Sequence, residues 1–241
     1  MYLVVIPCLY GAEHTREALE SISNQKDVHV LIIDNGADNE VKAVIERFSF
    51  LTNVYVIRNK ENVYVNPAWQ QGINFFLGYD AYTHLIIMNS DLIMQKDWAE
   101  VLRNRWAVDP DEICIPNMIK SKHVNEEPID TALTHSLRVH EGTAGVFITL
   151  NRKQCEMINP LPIECKVWFG DQWIYEILRG VGYKTVIPEN LISYHYWSQN
   201  VSKVKGISEI IEKDKEAWSD IVNFKKEVKI NGFRQRSKTT D

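Results

Sequence analysis

The sequence predicts an α/β fold in which a mostly parallel central sheet is flanked by helices. Short apolar runs rich in β-branched residues alternate along the chain with segments whose apolar residues recur at helical spacing. This alternation is typical of parallel strands joined by crossover helices. With 241 residues, 45% of them hydrophobic, the chain can bury one substantial core.

The first half shows the alternation most regularly. Strands are predicted at 2–6, 28–33, 53–58 and 83–89, and helices at about 13–25, 38–48, 66–78 and 96–107. An apolar run at 112–117 is expected to add a further strand to the same sheet.

The second half is less regular. Residues 118–141 are polar and weakly periodic, which predicts a long surface loop. Beyond this loop we expect strands at 145–150, 184–187 and 191–196, and a helix at 171–184.

The C-terminal part predicts an amphipathic helix at 205–228 that packs on the body of the protein or on a partner. A homodimer through this helix is left open. Residues 229–241 form a basic tail, for which a solvated, flexible end is favoured over peripheral contact with a membrane. No internal repeat or Gly/Ser linker interrupts the chain, so residues 1–228 are predicted to be a single domain.

Composition narrows the classes of function. A formal net charge of −5 argues against a general nucleic-acid-binding protein, which usually needs a basic face. No run of about 18 apolar residues is present to span a bilayer, and the first residues are typical of a strand rather than a signal peptide. The four cysteines show no CxxC pair and no Cys/His cluster of zinc spacing, which favours reduced thiols and a cytoplasmic location.

Polar residues stand where the predicted parallel strands end, and ligands of open α/β sheets bind at that edge. Asp34 directly follows one strand, where its carboxylate could accept hydrogen bonds from a base or a ribose. The alternative is an ordinary Asx turn, since Asp-Asn-Gly is a good turn sequence.

Asp91 ends the buried run LIIMNSD, and an unpaired carboxylate in such a position is costly. A divalent cation that bridges Asp91 to a diphosphate would satisfy this charge. The alternative is that Asp91 caps the turn into the next helix.

Five segments together resemble the inverting family-2 glycosyltransferases of GT-A fold: VVIPCLY, IIDNGADN, NKENVYVNPAWQQGI, LIIMNSDL and WFGDQWIYEILRGVGYK. They occur in the family's order and spacing and cover about residues 2–197. The resemblance implies a nucleotide-sugar-dependent transferase that uses Mn²⁺ or Mg²⁺, with the family's DxD motif written Asn89-Ser90-Asp91. The Asn-x-Asp form is similar to that of members using deoxythymidine-diphospho-rhamnose, and a UDP-sugar donor also stays open.

The resemblance divides the chain into a nucleotide-sugar-binding half (1–117), an acceptor and catalytic half (118–200) and a C-terminal helix (201–228). It implies that the following residues bind the nucleotide sugar: Pro7, Cys8, Tyr10, Asp34, Asn62, Asn89, Ser90 and Asp91. Two positions depart from the family pattern. Tyr64 stands where the family's Asn-x-Gly turn has glycine, and Gln70 replaces the asparagine of the later Asn-x-Gly before Gly72.

The family's acceptor-side motif resembles EDxD and reads Gly170-Asp171-Gln172-Trp173 in this chain, so its first acid is absent. The resemblance implies that Asp171 is the general base, because a sugar hydroxyl needs a carboxylate to take its proton. The alternative is that Asp171 serves only as the first-turn acid or N-cap of a helix.

The resemblance also implies that His195 reaches the metal or the diphosphate, with a packed strand histidine as the alternative. On the acceptor side it implicates Gly145, whose small size admits a substrate, and Trp168, Gln172 and Trp173. Aromatic faces commonly stack on sugar rings, although such residues equally suit a core.

The function expected is inverting, metal-assisted transfer of a sugar to a hydroxyl of a glycan, glycolipid or glycoprotein. A catalytically silent sugar-nucleotide-binding protein is an alternative, since the first acid is missing at Gly170. A nucleotidyltransferase is disfavoured because PCLYGAEH, after the first strand, is not a glycine-rich basic loop. A purely structural interaction module has only the C-terminal helix in its favour.

Overall fold

A computed structural model describes residues 1–120, 122, 131–134, 136–143, 145–197 and 203–236. In chain order the strands are β1 (Tyr2–Cys8), β2 (Val28–Asn35), β3 (Val54–Asn59), β4 (His84–Met88), β5 (Leu92–Met94), β6 (Ile113–Cys114), β7 (Asn117–Ile119), β8 (Leu137–Val139), β9 (Phe147–Asn151), β10 (Thr185–Pro188) and β11 (Ile192–His195). The helices are α1 (Ala12–Ser23), α2 (Asn39–Ser49), α3 (Val65–Leu77), α4 (Trp98–Val108), α5 (Arg152–Ile158), α6 (Gly170–Gly180) and α7 (Ile207–Arg236).

The main sheet has five strands in the order β3-β2-β1-β4-β9. The first four are parallel, and β9 pairs antiparallel with β4, so that Met88 lies opposite Phe147. The start of β9 therefore meets the carboxyl ends of the parallel strands. This topology brings the segment before Phe147 to the edge where ligands of such sheets bind.

Both faces of the main sheet are covered, which explains why its strands are apolar at nearly every position. Alternate residues point to opposite faces. One face, which includes Val4 and Ile32, packs against α1, α2 and α4. The other, which includes Leu3 and Ile33, packs against α3, α5 and α6. The predicted α/β fold is confirmed.

The prediction that 112–117 extends the main sheet is wrong. This run is divided between β6, which pairs with β10, and β7, which pairs with β11. Pro116 lies between the two short strands and lacks the backbone N–H that a continuous ladder would need. Two three-stranded sheets result, with the orders β6-β10-β8 and β5-β11-β7.

The predicted loop at 118–141 includes the end of β7 and all of β8. Residues 123–130 of that loop lie outside the described part of the chain. The sequence interpretation also missed α5, whose start is fixed by a capping box between Asn151 and Gln154. Helix α6 ends at Gly180, before the predicted end at 184, and the chain turns at Gly182 (φ 97°).

Helix α7 is longer than predicted and continues to Arg236, through most of the predicted tail at 229–241. Residues 237–241 lie outside the described residues. The first turns of α7 pack on the body of the protein, where Trp218 stacks on Phe169 at 5.1 Å between ring centroids. Within the described ranges, no helix combines the length and apolarity needed to cross a membrane.

Candidate active-site cavity

A cavity of about 260 Å³ opens at the carboxyl edge of the main sheet. Most of the residues singled out in the sequence line it: Pro7, Cys8, Asn62, Asn89, Ser90, Asp91, Gly145, Trp168, Asp171 and His195. The wall is completed by Leu9, Asn35, Tyr64, Val65, Trp69, Val146, Val167, Val204 and Ile207. Residues from the start, middle and end of the chain therefore meet in one cavity.

Asp91 and His195 form a buried pair in this cavity. Strands β5 and β11 are antiparallel neighbours with Leu92 opposite His195, which brings the preceding Asp91 beside the imidazole. The Asp91 Oδ1 and His195 Nε2 atoms are 3.1 Å apart, and the residues are 5% and 4% exposed. The alternative that Asp91 caps the next helix is not what the structure shows, because α4 begins at Trp98 after Asp97.

The Asp91–His195 pair fits part of a divalent-cation site. A carboxylate oxygen and an imidazole nitrogen are acceptable ligands for Mn²⁺, whereas Mg²⁺ prefers oxygen. The other imidazole nitrogen, Nδ1, is buried and has no hydrogen-bond partner in the described part of the chain. No group of three or more His, Cys, Asp or Glu side chains within that part is placed to hold a metal. A bound cation would therefore need further ligands from a phosphate or from water.

Asp171 lies in the first turn of α6, directly after Gly170, the first residue of that helix. It is not the N-cap, which is Phe169 in a left-handed conformation (φ 68°). Burial raises the pKa of the Asp171 carboxyl, and hydrogen bonds from the backbone N–H groups of Gln172 and Gly145 partly oppose this rise. A raised pKa makes a carboxylate a stronger proton acceptor.

Gly145 allows the chain before β9 to pass close to Asp171. A Cβ atom at position 145 would lie 2.9 Å from the Asp171 Oδ2 atom. The small residue therefore leaves the carboxylate its position in the cavity wall.

The absent first acid of the EDxD-like motif has a structural explanation. A Cβ atom at Gly170 would lie 2.1 Å from the Asn66 side-chain oxygen. Asn66 is fully buried, and its amide donates to the backbone carbonyls of Cys165 and Trp168. The space for a side chain at position 170 is therefore taken by Asn66.

The turn that carries Asn62 is fixed by Asn35, which sequence reasoning missed. The Asn35 amide donates to Asn62 Oδ1 (2.9 Å), and its side-chain oxygen accepts from the Val63 N–H (3.0 Å). Asn35 directly follows Asp34 at a strand end, and this placement is the signal that could have identified it.

At Tyr64 the backbone adopts φ 70° and ψ −175°, a combination that favours glycine. Tyrosine thus occupies a conformation suited to the glycine that the sequence pattern led us to expect.

Four of the residues proposed from the sequence are not among the lining residues of the cavity: Tyr10, Asp34, Gln172 and Trp173. Tyr10 lies next to the lining residue Leu9. Asp34 is buried, accepts from the Ala37 N–H (3.0 Å) and lies 3.3 Å from Arg58 Nη1. The Asp34 side chain thus bonds to the turn after its strand, but three residues on rather than the two residues on that define an Asx turn.

On the acceptor side, Gln172 donates to Glu176. The indole of Trp173 donates to the Ile158 carbonyl and packs against the core. The predicted acceptor-side group is thus divided, with Gly145 and the 45% exposed Trp168 in the cavity and the other two outside it.

This fold, with polar side chains gathered at the carboxyl edge of a parallel sheet, defines a GT-A protein. It is similar to GalNAc-T7 with UDP, GalNAc and Mn²⁺ (TM-score 0.63, 14% identity, covering 81% of this chain and 43% of that one). It is also similar to residues 1–349 of TarS from S. aureus (0.61, 12%, 80% and 60%). A third similar structure is a mannosyltransferase from Pyrobaculum calidifontis in complex with GDP-Man and Mn²⁺ (0.58, 14%, 83% and 57%).

The chain belongs to glycosyl transferase family 2, whose sequence model matches residues 3–149. An uncharacterized protein of Methanocaldococcus jannaschii is 24% identical over 91 residues, which are 37% of this chain and 39% of that protein. The chain thus spans less than two thirds of the length of each of these relatives.

Proposed function

We propose that the chain is an inverting glycosyltransferase that moves a sugar from a nucleoside-diphosphate donor to a hydroxyl of a carbohydrate-bearing acceptor. One observation carries this proposal. Asp91 with His195, and Asp171 from a distant part of the sequence, line a single cavity at the carboxyl edge of the sheet. Such a cavity can hold a leaving diphosphate on one side and an attacking hydroxyl on the other.

In this proposal Asp171 is the general base. It takes the proton of the acceptor hydroxyl while that oxygen forms a bond to the anomeric carbon. The bond from that carbon to the diphosphate oxygen breaks in the same step, so the configuration at the carbon is inverted. Partial burial of Asp171 favours this role because it raises the pKa of the carboxyl.

Asp91 and His195 would hold the cation, Mn²⁺ or Mg²⁺, of which the mixed oxygen and nitrogen donor set favours Mn²⁺. When bound, the cation neutralises charge that develops on the departing diphosphate. The Asn35–Asn62 turn contributes polar groups to the cavity wall, where they could bind the nucleoside.

Residues of the cavity wall also suggest which donors and acceptors the protein uses. The Asn-Ser-Asp form of the metal motif keeps a deoxythymidine-diphospho-rhamnose-type donor and a UDP-sugar as candidates. Trp168 is the half-exposed aromatic residue that could stack on a sugar of a glycan, glycolipid or glycoprotein acceptor.

The four buried free cysteines support a reducing, cytoplasmic compartment. A homodimer through α7 stays a prediction that light scattering would check.

The alternative function, a catalytically silent sugar-nucleotide-binding protein, was supported by the absence of an acid at Gly170. Since Asn66 fills the space of a side chain at that position, the absence is explained by packing and does not favour this alternative.

Thermal unfolding with a panel of nucleoside diphosphates, with and without Mn²⁺, tests donor binding. A ligand at about 100 times its Kd stabilises the folded state by about 2.7 kcal/mol. We expect Asp91→Asn to lose the Mn²⁺-dependent part of this stabilisation. The matched control Asp97→Asn, at an exposed position nearby, keeps it. Nucleotide binding that is indifferent to a chelator would refute the metal assignment.

A turnover assay with the donor found in this panel tests whether Asp171 is the general base. We expect Asp171→Asn to bind the nucleotide as the unaltered protein does and to lose transfer by ~10² to 10⁴-fold. In the unaltered protein, turnover falls as the pH falls through the raised pKa of Asp171, because the base must be deprotonated. Full activity of Asp171→Asn would refute the mechanism.

A further inference from the structure

The loop at residues 165–168 leads into the helix that carries Asp171. Val167 and Trp168 of this 165–168 loop line the cavity. Phe169 then turns the chain into α6 through a left-handed conformation. The backbone path of the loop therefore sets where the cavity wall and the start of α6 lie.

Asp214 of α7 binds one side of the 165–168 loop with both carboxylate oxygens. Its Oδ1 accepts from the Lys166 N–H at 2.6 Å. Its Oδ2 accepts from the N–H groups of Val167 at 2.7 Å and Trp168 at 2.9 Å. Three consecutive backbone donors thus converge on one fully buried carboxylate.

Asn66 of α3 binds the backbone carbonyls of the same loop. Its side-chain amide donates to the carbonyls of Cys165 (2.6 Å) and Trp168 (2.8 Å). Its backbone N–H donates to the Lys166 carbonyl at 3.0 Å. The loop is therefore held through its donors by α7 and through its acceptors by α3.

Docking of α7 by itself does not require a buried carboxylate. The Trp218–Phe169 stack already supplies an apolar contact between α7 and the end of the loop. A buried charge is costly unless it is fully hydrogen-bonded, and here three backbone N–H groups of the loop supply those bonds. What the Asp214 carboxylate adds is a defined direction for three backbone N–H groups.

We propose that Asp214 is a positioning residue, which fixes the 165–168 loop so that Trp168 and Asp171 take their places in the cavity wall. This inference rests on the proposed function of Asp171. Val204 and Ile207, just before and at the start of α7, also line the cavity. The C-terminal helix therefore contributes to the wall and holds its neighbouring loop at the same time.

Asp214→Asn tests the proposal because the amide has the same shape, but its NH₂ group cannot accept a backbone hydrogen bond. Asp220→Asn, at an exposed position of the same helix, is the matched control. We expect Asp214→Asn to lower kcat by about 10-fold or more, the scale of a misplaced catalytic group. The affinity for the nucleoside diphosphate and Mn²⁺ should be unchanged, because Asp91 and His195 lie on other elements. Asp220→Asn should leave both quantities unchanged.

Two further readouts separate positioning from a loss of folded protein. The amides of Lys166, Val167 and Trp168 should lose protection from hydrogen exchange in Asp214→Asn. The acid limb of the pH–rate profile should move to lower pH, because a looser loop lets more water reach the partly buried Asp171 carboxyl. A smaller folded fraction alone would lower the rate without moving this limb.

The proposal is overturned if Asp214→Asn keeps the kcat and acid limb of the unaltered protein, or if its lower rate matches its lower folded fraction. Should Asp214→Asn fail to fold, Trp218→Leu weakens the same docking while the carboxylate is kept. In Trp218→Leu, kcat should fall only as far as the amides of the 165–168 loop lose protection from exchange, and lost protection with an unchanged kcat would overturn the proposal. If Asp171→Asn proves fully active, the base assignment fails, whereas exchange at the three amides still reports on Asp214.

Discussion

Tyr64 stores backbone strain at the cavity wall, and replacing it with glycine should release that strain. Its φ of 70° and ψ of −175° fall in a region that is essentially restricted to glycine. Hydrogen bonds hold it there, from its own N–H to Asn62 Oδ1 (2.8 Å) and from the Asn35 amide to its carbonyl (3.2 Å). Strain of this kind costs about 1–3 kcal/mol.

The comparison that isolates this strain is Tyr64→Gly against Tyr64→Ala. Both variants lose the same half-buried ring, and they differ only in the Cβ atom. In the glycine variant the backbone strain is released, which raises the free energy of unfolding. The greater freedom of its unfolded chain lowers that free energy by about 0.4–1 kcal/mol. We therefore expect Tyr64→Gly to be more stable than Tyr64→Ala by about 0.5–2 kcal/mol.

Urea unfolding at neutral pH measures the difference, and a difference of 1 kcal/mol should also separate the two Tm values by about 2–4 °C. Equal stability of the two variants, or a more stable alanine variant, would refute the assignment of strain to Tyr64. Because Tyr64 lines the cavity, both variants should bind the nucleotide more weakly than the unaltered protein. Greater stability of Tyr64→Gly than of Tyr64→Ala, without tighter nucleotide binding, is the expected signature of strain kept at a binding site.

Two other positions give predictions of known sign. Gly145→Ala places a Cβ atom 2.9 Å from Asp171 Oδ2, so turnover should fall by about 10²-fold and stability by about 1–3 kcal/mol. Gly180→Ala meets nothing within 4 Å and should keep full turnover; equal rates in the two variants would contradict the steric argument. Burial lowers the pKa of His84 to about 4, so the unfolded chain, with a histidine pKa of about 6.5, takes up the proton first. Stability should therefore fall by about 3 kcal/mol as the pH drops from about 6.5 to 4. His84→Phe, whose ring can still stack on Trp106, should remove this loss in urea unfolding, and a loss of the same size in that variant would argue against His84.

The parallel strands of the main sheet could be predicted from the sequence because they are mostly apolar runs separated by helical segments. The small sheets could not. Strands β6 (Ile113–Cys114) and β7 (Asn117–Ile119) are too short to show a period. Their partners, β10 and β11, lie far away along the chain, so only tertiary contacts select the pairing.

The site divides in the same way. Asp91 and Asp171 could be singled out because each stands at the end or start of a recognisable element. The contact between Asp91 and His195 depends on the pairing of β5 with β11, which no local sequence pattern predicts. Asp214 lies in a charged stretch of an amphipathic helix, and nothing in its neighbourhood distinguishes it from solvated acids such as Asp220. Its burial arises only where α7 meets the 165–168 loop.

The cavity wall extends well beyond residue 149, the last position matched by the family model. Pro7, Asn62 and Asp91 lie inside the matched stretch, whereas Trp168, Asp171 and Ile207 lie after it. Homologues that agree with this chain only up to β9 need not share the residues after it, so a comparison of their cavities should include the loop at 165–168 and the beginning of α7.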